Sequence, residues 1–181
     1  MNLAYPSYRC FVPQQAVGAD LVYFDIFNPA SSGLELLVSS VVPIVSGDVA
    51  VTSSLAVDLY LTYPSAVGTG GTAATYNGTA LDAMTFTTLT PTGGYLDERI
   101  VGGITRTGGA TAGAVISWCS VFTEETNAAA YLGHMNDLAR RNNSDNPYVI
   151  VTAGKGIRVV QGAVASVGNI GFDVIFAVRP K

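Results

Sequence analysis

The sequence predicts a mainly β chain, a β-sandwich of jelly-roll type, and three observations carry that prediction. Short runs of β-branched and aromatic residues recur along the 181 residues, each ended by Gly, Pro, Asn, Asp or Ser. Several of these runs alternate apolar and polar residues with the period of a half-buried strand. Helical spacing occurs in one stretch only, whereas a parallel α/β sheet requires a helix between most strands. Eight or nine strands and one helix follow, in a single domain over 21–181 with an N-terminal arm over 1–20.

Taken in order, residues 1–20 combine Tyr5, Tyr8 and Phe11 with Pro6, Pro13 and few charges. That composition suits an extended arm laid across a partner, with these three aromatics as the partner-binding residues; a first edge strand explains it equally well. Leu21–Phe27 and Leu34–Val45 read as strands around an Asn28–Gly33 turn, and Pro43 marks an edge, a bulge or a bend. Leu55–Tyr63 places Val57, Leu59 and Leu61 on one face and Asp58, Tyr60 and Thr62 on the other. Pro64–Gly78 is a long loop, followed by short strands over Met84–Leu89 and Glu98–Thr105. Ala114–Phe122 is apolar on both faces, which predicts a well-covered strand.

Glu124 and Glu125 precede Leu132, Met135 and Leu138, with Arg140 and Arg141 at the end, so a helix is expected around 124–141. The C-terminal third reads as a strand meander: Tyr148–Thr152, Gly156–Gln161 and Gly171–Arg179, with Ala153–Gly156 as a hairpin turn. In the last run Phe172, Val174, Phe176 and Val178 form the core face.

Charged residues make up 12% of the chain and hydrophobic ones 49%, against about 25% charged in ordinary soluble domains. A surface so poor in charge is expected to be covered in an assembly, so the chain reads as a homo-oligomer. A net charge of −4, with Arg140-Arg141 as the one basic pair, argues against direct nucleic-acid binding. The opening MNLAYPSYRC lacks a basic segment followed by an apolar one, and no apolar run reaches membrane-helix length, so a protein made in the cytoplasm without a membrane partner is expected. Cys10 and Cys119 stand in apolar contexts and read as buried thiols. His134 has no nucleophile motif beside it, and Lys155 between glycines lacks the rest of a phosphate loop. Catalytic residues, metal ligands and cofactors are therefore not expected, and the chain reads as a non-enzyme.

Pro147, Val149–Val151, the A-G-K-G turn over Ala153–Gly156, Ile157–Val160 and Phe172–Val178 together resemble the C-terminal end of small virion proteins of tailed bacteriophages. That class includes capsid decoration, or cement, proteins. The resemblance implies a jelly roll or related sandwich, a place on the capsid surface of the virion as a homotrimer, and the major capsid protein as partner. It carries no functional residue over to this chain. Two other readings stand beside it: another virion component, such as a fibre, tail adaptor, minor head or coat protein, and a carbohydrate-binding β-sandwich with Tyr60, Tyr63, Tyr76 and Tyr95 as its platform.

Overall fold

The computed structural model of the chain describes residues 7–45, 56–66, 72–73, 97–105, 113–122, 137–140, 148–164 and 167–181. Among them run ten strands: β1 (Ser7–Ala16), β2 (Leu21–Asn28), β3 (Leu34–Val45), β4 (Ala56–Tyr63), β5 (Thr72–Ala73), β6 (Asp97–Thr105), β7 (Ala114–Phe122), β8 (Val149–Val151), β9 (Lys155–Gln161) and β10 (Asn169–Pro180). They form two antiparallel sheets, ordered β1-β10-β3-β8 and β5-β6-β2-β9-β4-β7. The mainly β expectation is met, and most expected strands lie within a residue or two of their predicted bounds. The strand expected over Met84–Leu89 falls outside the described residues.

The pairing is nested. β1 pairs with β10, β2 with β9, β3 with β8 and β4 with β7, so early strands meet late ones. The chain changes sheet at each step from β1 to β4 and again from β7 to β10. This corrects the expected meander: β9 pairs with β2 and β4, while its chain neighbours β8 and β10 lie in the other sheet. The turn over 152–155 is accordingly a bridge between sheets. Gly154 takes φ 77°, a left-handed value that costs glycine little, and its N–H donates to the Asn28 carbonyl at 2.8 Å. Alternation specifies which face of a strand is apolar, but it does not specify which strand lies alongside.

Both sheets turn their apolar faces onto one core. Phe172, Val174 and Phe176 of β10 pack there with Leu36, Val38 and Val41 of β3, Phe24 and Ile26 of β2, Ile157 and Val159 of β9, and Val57, Leu59 and Leu61 of β4. The Phe172 ring lies 5.5 Å from both Tyr23 and Phe24, tilted against the first and edge-on to the second, which joins the two sheets at their middles.

Of the two readings of the N-terminal segment, its described part takes the edge strand. Residues 7–16 are an edge strand, paired with β10 from Ser7↔Ala177 to Ala16↔Asn169. Tyr8, Cys10 and Val12 enter the core, because β1 alternates and its partner β10 turns Phe172, Val174 and Phe176 inward. Pro13, which has no N–H to give, falls where the register shifts between Val12 and Gln15. Close approach at this point also explains Gly171, where a Cβ would lie 2.7 Å from the Val12 carbonyl oxygen.

Of the helix expected around 124–141, residues 124–136 and 141 lie outside the described residues, and 137–140 form a turn. Tertiary contacts claim this segment. The Asp137 carboxylate accepts from the Val41 N–H at 2.8 Å and from the Ser40 hydroxyl at 2.8 Å, and the Leu138 N–H donates to the Val41 carbonyl at 2.9 Å. Ser117 on β7 donates its hydroxyl to the Leu138 carbonyl, so the turn ties one sheet to the other. Leu138 and Ala139 close the core between them. The turn also caps the edge of β3 beyond the short strand β8. By the alternation of the strand, the missing N–H of Pro43 falls on this same edge.

Because Phe176 is buried against Tyr8, its truncation to Ala is expected to cost about 3–5 kcal/mol in urea unfolding. Arg179→Ala, which removes a partly exposed ion pair with Glu35, is expected to cost about 1 kcal/mol or less. Equal losses in the two variants would contradict the assigned core face.

Candidate docking surfaces

The three aromatics expected to bind a partner separate in the structure. Tyr8 is buried at 3% exposure and stacks on Phe176 with ring centroids 5.7 Å apart, so it belongs to the core and not to a docking arm. Phe11, 44% exposed, points out from the same strand. Tyr5 lies outside the described residues. The difference between Tyr8 and Phe11 is one of parity: residues three apart on a strand face opposite ways.

Around Phe11 the outer face of the four-stranded sheet is half apolar. Val42, Ile44 and Ile175 are partly exposed there, and Phe11, Asp173 and Val42 stand in one row across the strands. Arg9 grips Asp173 with two hydrogen bonds of 2.7 and 2.6 Å. The hydrogen bond that Arg9 donates to Asp173, and then the carboxylate's charge, raise the Arg9 pKa further. At the far end Arg179 holds Glu35 at 2.8 and 2.6 Å. Charge at these two places is thus paired across neighbouring strands.

The expectation for Ala114–Phe122 is overturned. Among the described residues β7 ends the six-stranded sheet, and Trp118 and Val115 are 62% and 56% exposed. Two apolar faces on a strand do not imply two covering layers. Here the inner residues Ile116, Cys119 and Val121 pack on the core, while Trp118 stands opposite Tyr60 on the outer face. Ser120 hydrogen-bonds Asp58 one pair further along. Sequence reading passed over Trp118. The usable signal was its place in a long uncharged strand next to a glycine-bounded turn, where a sheet can end.

The tyrosines of the carbohydrate reading also separate. Tyr63 turns its hydroxyl to β8, donating to the Ile150 carbonyl at 3.0 Å and accepting from the Thr152 N–H at 3.2 Å, and so links the sheets. Tyr60 stays on the outer face, and Tyr76 and Tyr95 lie outside the described residues. So does His134.

Buried polar groups here serve the fold. Arg158 of β9 pairs with Asp25 of β2, directly across the strands, and both are buried. Such a pair must stay matched, since loss of one partner strands the other charge away from water. Gln161 accepts from the Tyr23 hydroxyl and the Gly18 N–H and donates to the Val164 carbonyl, which fixes the connection to β10. Val164 and Val167 are exposed on that connection. Among the described residues, no cluster of His, Cys, Asp and Glu has the makings of a metal site. Comparison with protein-family models, curated proteins and solved structures gives no match.

Cys10 and Cys119 are both free thiols. Burial, and then the nearby charges of Asp58 and Asp137, push Cys119 from 9.0 up to about 12. Burial likewise lifts Tyr23 from 10.0 to about 12, against a smaller opposing effect from the Gly18 backbone. Both groups therefore keep their protons in the folded chain at pH values where the unfolded chain has released them. Their folded pKa values lie above the unfolded ones, so stability falls as pH rises from about 9 towards 12. Urea midpoints are expected to decline across that window, and Cys119→Ala to flatten its lower part. A midpoint as flat above pH 9 as below it would contradict the buried placement of both groups.

Proposed function

We propose that the chain is a structural virion protein that binds the outside of a phage capsid and stabilises it as a decoration protein. The observation that carries this reading is the strand order. With β5 and β6 set aside as an excursion, the remaining eight strands pair first with last, second with seventh, third with sixth and fourth with fifth. That is how a hairpin of eight strands rolls into a two-sheet sandwich, and we read the fold as a jelly roll on this ground. Jelly rolls are the framework of many viral capsid domains, although they also occur in lectins and cupins, so the fold narrows the class without fixing the role. The low charge content and the resemblance of the C-terminal runs to tailed-phage virion proteins support the capsid reading among these.

The mechanism is mass action. A protein that binds only the assembled shell stabilises that state by an amount set by its concentration and affinity, and one copy bridging two capsid subunits opposes their separation. Phe11, with Val42, Ile44 and Ile175 beside it, offers the apolar centre of such a contact, and the Arg9–Asp173 pair its polar rim.

Full-length protein is expected to co-sediment saturably with undecorated phage capsids and to raise the temperature at which they disassemble. Phe11→Ser should weaken binding roughly tenfold or more without loss of fold, since the side chain is exposed. Absence of co-sedimentation with every capsid that lies near this gene would overturn the reading.

A further inference from the structure

We propose that the outer face of β4 and β7 is a docking site for a partner protein that presents an arginine, the guanidinium lying on Trp118 and pairing with Asp58. Trp118 and Val115 of β7 are exposed there, and Tyr60 of β4, half-buried, stands opposite Trp118. Asp58, also half-buried, stands two residues before Tyr60 on the same face and opposite Ser120, which places it diagonally across from Trp118. Diagonal neighbours on one face lie about 7–8 Å apart, a gap that one long side chain laid between them bridges. The position beside them, at the end of β9, is Gly162, whose N–H donates to the Asp58 carbonyl at 2.8 Å. With no side chain of its own, Gly162 leaves Tyr60 and Asp58 uncovered from that side; a Cβ would stand 3.2 Å from the Tyr60 ring.

Charge selects the occupant. Along the described strands Asp173 holds Arg9, Glu35 holds Arg179 and Asp25 holds Arg158. The Asp137 carboxylate is met by Ser40 and by the N–H groups of Val41 and Ala139. Asp58 differs: it accepts from the Ser120 hydroxyl on one oxygen, and among the described residues it meets no cation. Asp20, whose N–H donates to the Gly162 carbonyl at 3.0 Å, likewise meets no cation among the described residues and adds negative charge at this corner. A neutral strand or sugar laid over Trp118 would strip water from Asp58 and leave its charge unanswered, and an acidic partner would be repelled. A guanidinium answers both features at once. Its edge donates to the carboxylate in a fixed fork and its plane stacks on an indole face, whereas a lysine ammonium offers a point charge alone.

This face lies on the other sheet from Phe11, and its test needs no capsid. Trp118 is the chain's only tryptophan, so its emission reports the face directly. The probe is a capped tripeptide with arginine between two valines, titrated into the full-length protein at low salt up to about 10 mM, the range in which so small a contact binds. Its control carries citrulline in place of arginine, which keeps the planar shape and loses the charge. The arginine peptide should shift the Trp118 emission saturably and bind roughly tenfold or more tighter than the citrulline peptide, a preference that fades as salt rises. Asp58→Asn, which keeps an acceptor for Ser120, should abolish the preference with the circular dichroism and melting temperature unchanged. If that variant folds poorly, the salt dependence in the wild-type chain reads the same charge. Trp118→Leu, followed by calorimetry, should weaken the arginine peptide roughly fivefold. Equal affinity for the two peptides overturns the proposal, as does the absence of a saturable shift with either. Binding of maltohexaose more tightly than the arginine peptide would overturn it in favour of a sugar-binding face.

Discussion

Phe172 is the point on which the structure turns. Its ring sits on the central strand of the four-stranded sheet and meets Tyr23 and Phe24 of the six-stranded one, so a single side chain spans the seam between layers. A fully buried phenylalanine contributes roughly 1.5–3 kcal/mol from transfer out of water, and aromatic pairs add about 0.5–1.5 kcal/mol through their geometry. The position matters more than the sum. β10 is flanked by β1 and β3, and its inward residues fix the faces that both must present, which is why Tyr8 and Val12 are buried and Phe11 is not. The nested order gives every such contact a long sequence separation, a topology expected to fold slowly compared with locally paired chains.

Much of this was legible in the sequence at the level of single strands. β3 and β7 were bounded to the residue, and the inward set on β4 and β10 followed from alternation, because burial of one face leaves a period of two that no other element produces. Pairing was not legible. The runs at Tyr148–Thr152, Gly156–Gln161 and Gly171–Arg179 look like neighbours because short turns join them, yet the turn after β8 carries the chain to the other sheet. Nothing in Ala153–Gly156 distinguishes that turn from a hairpin: Gly154 supplies the left-handed residue that either needs. The helical spacing of Leu138 and Ala139 likewise recorded two buried residues correctly, while Asp137 and Leu138 spend their hydrogen bonds on Val41.

The candidate surfaces follow from where the sheets end. An interior strand buries both edges in hydrogen bonds, so exposed apolar side chains on end strands are the residues with a partner still to find. β1 and β7 take this differently: β1 is broken by Pro13 and marked by the Arg9–Asp173 pair, whereas β7 has neither charge nor proline and bulges at Ile116. Phe11 was legible as an aromatic in a charge-poor segment. Trp118 was not, since an apolar strand in the middle of a chain reads as interior until the sheet order is known.

The central claim is that the two sheets are one cooperative unit held by a shared core, and native-state hydrogen exchange tests it most directly. The account predicts that the slowest amides of β10 and those of β9, in different sheets, exchange with a common free energy equal to that of global unfolding. If either sheet lost protection several kcal/mol below the other, the sheets would be separate units, and a single core centred on Phe172 would be contradicted.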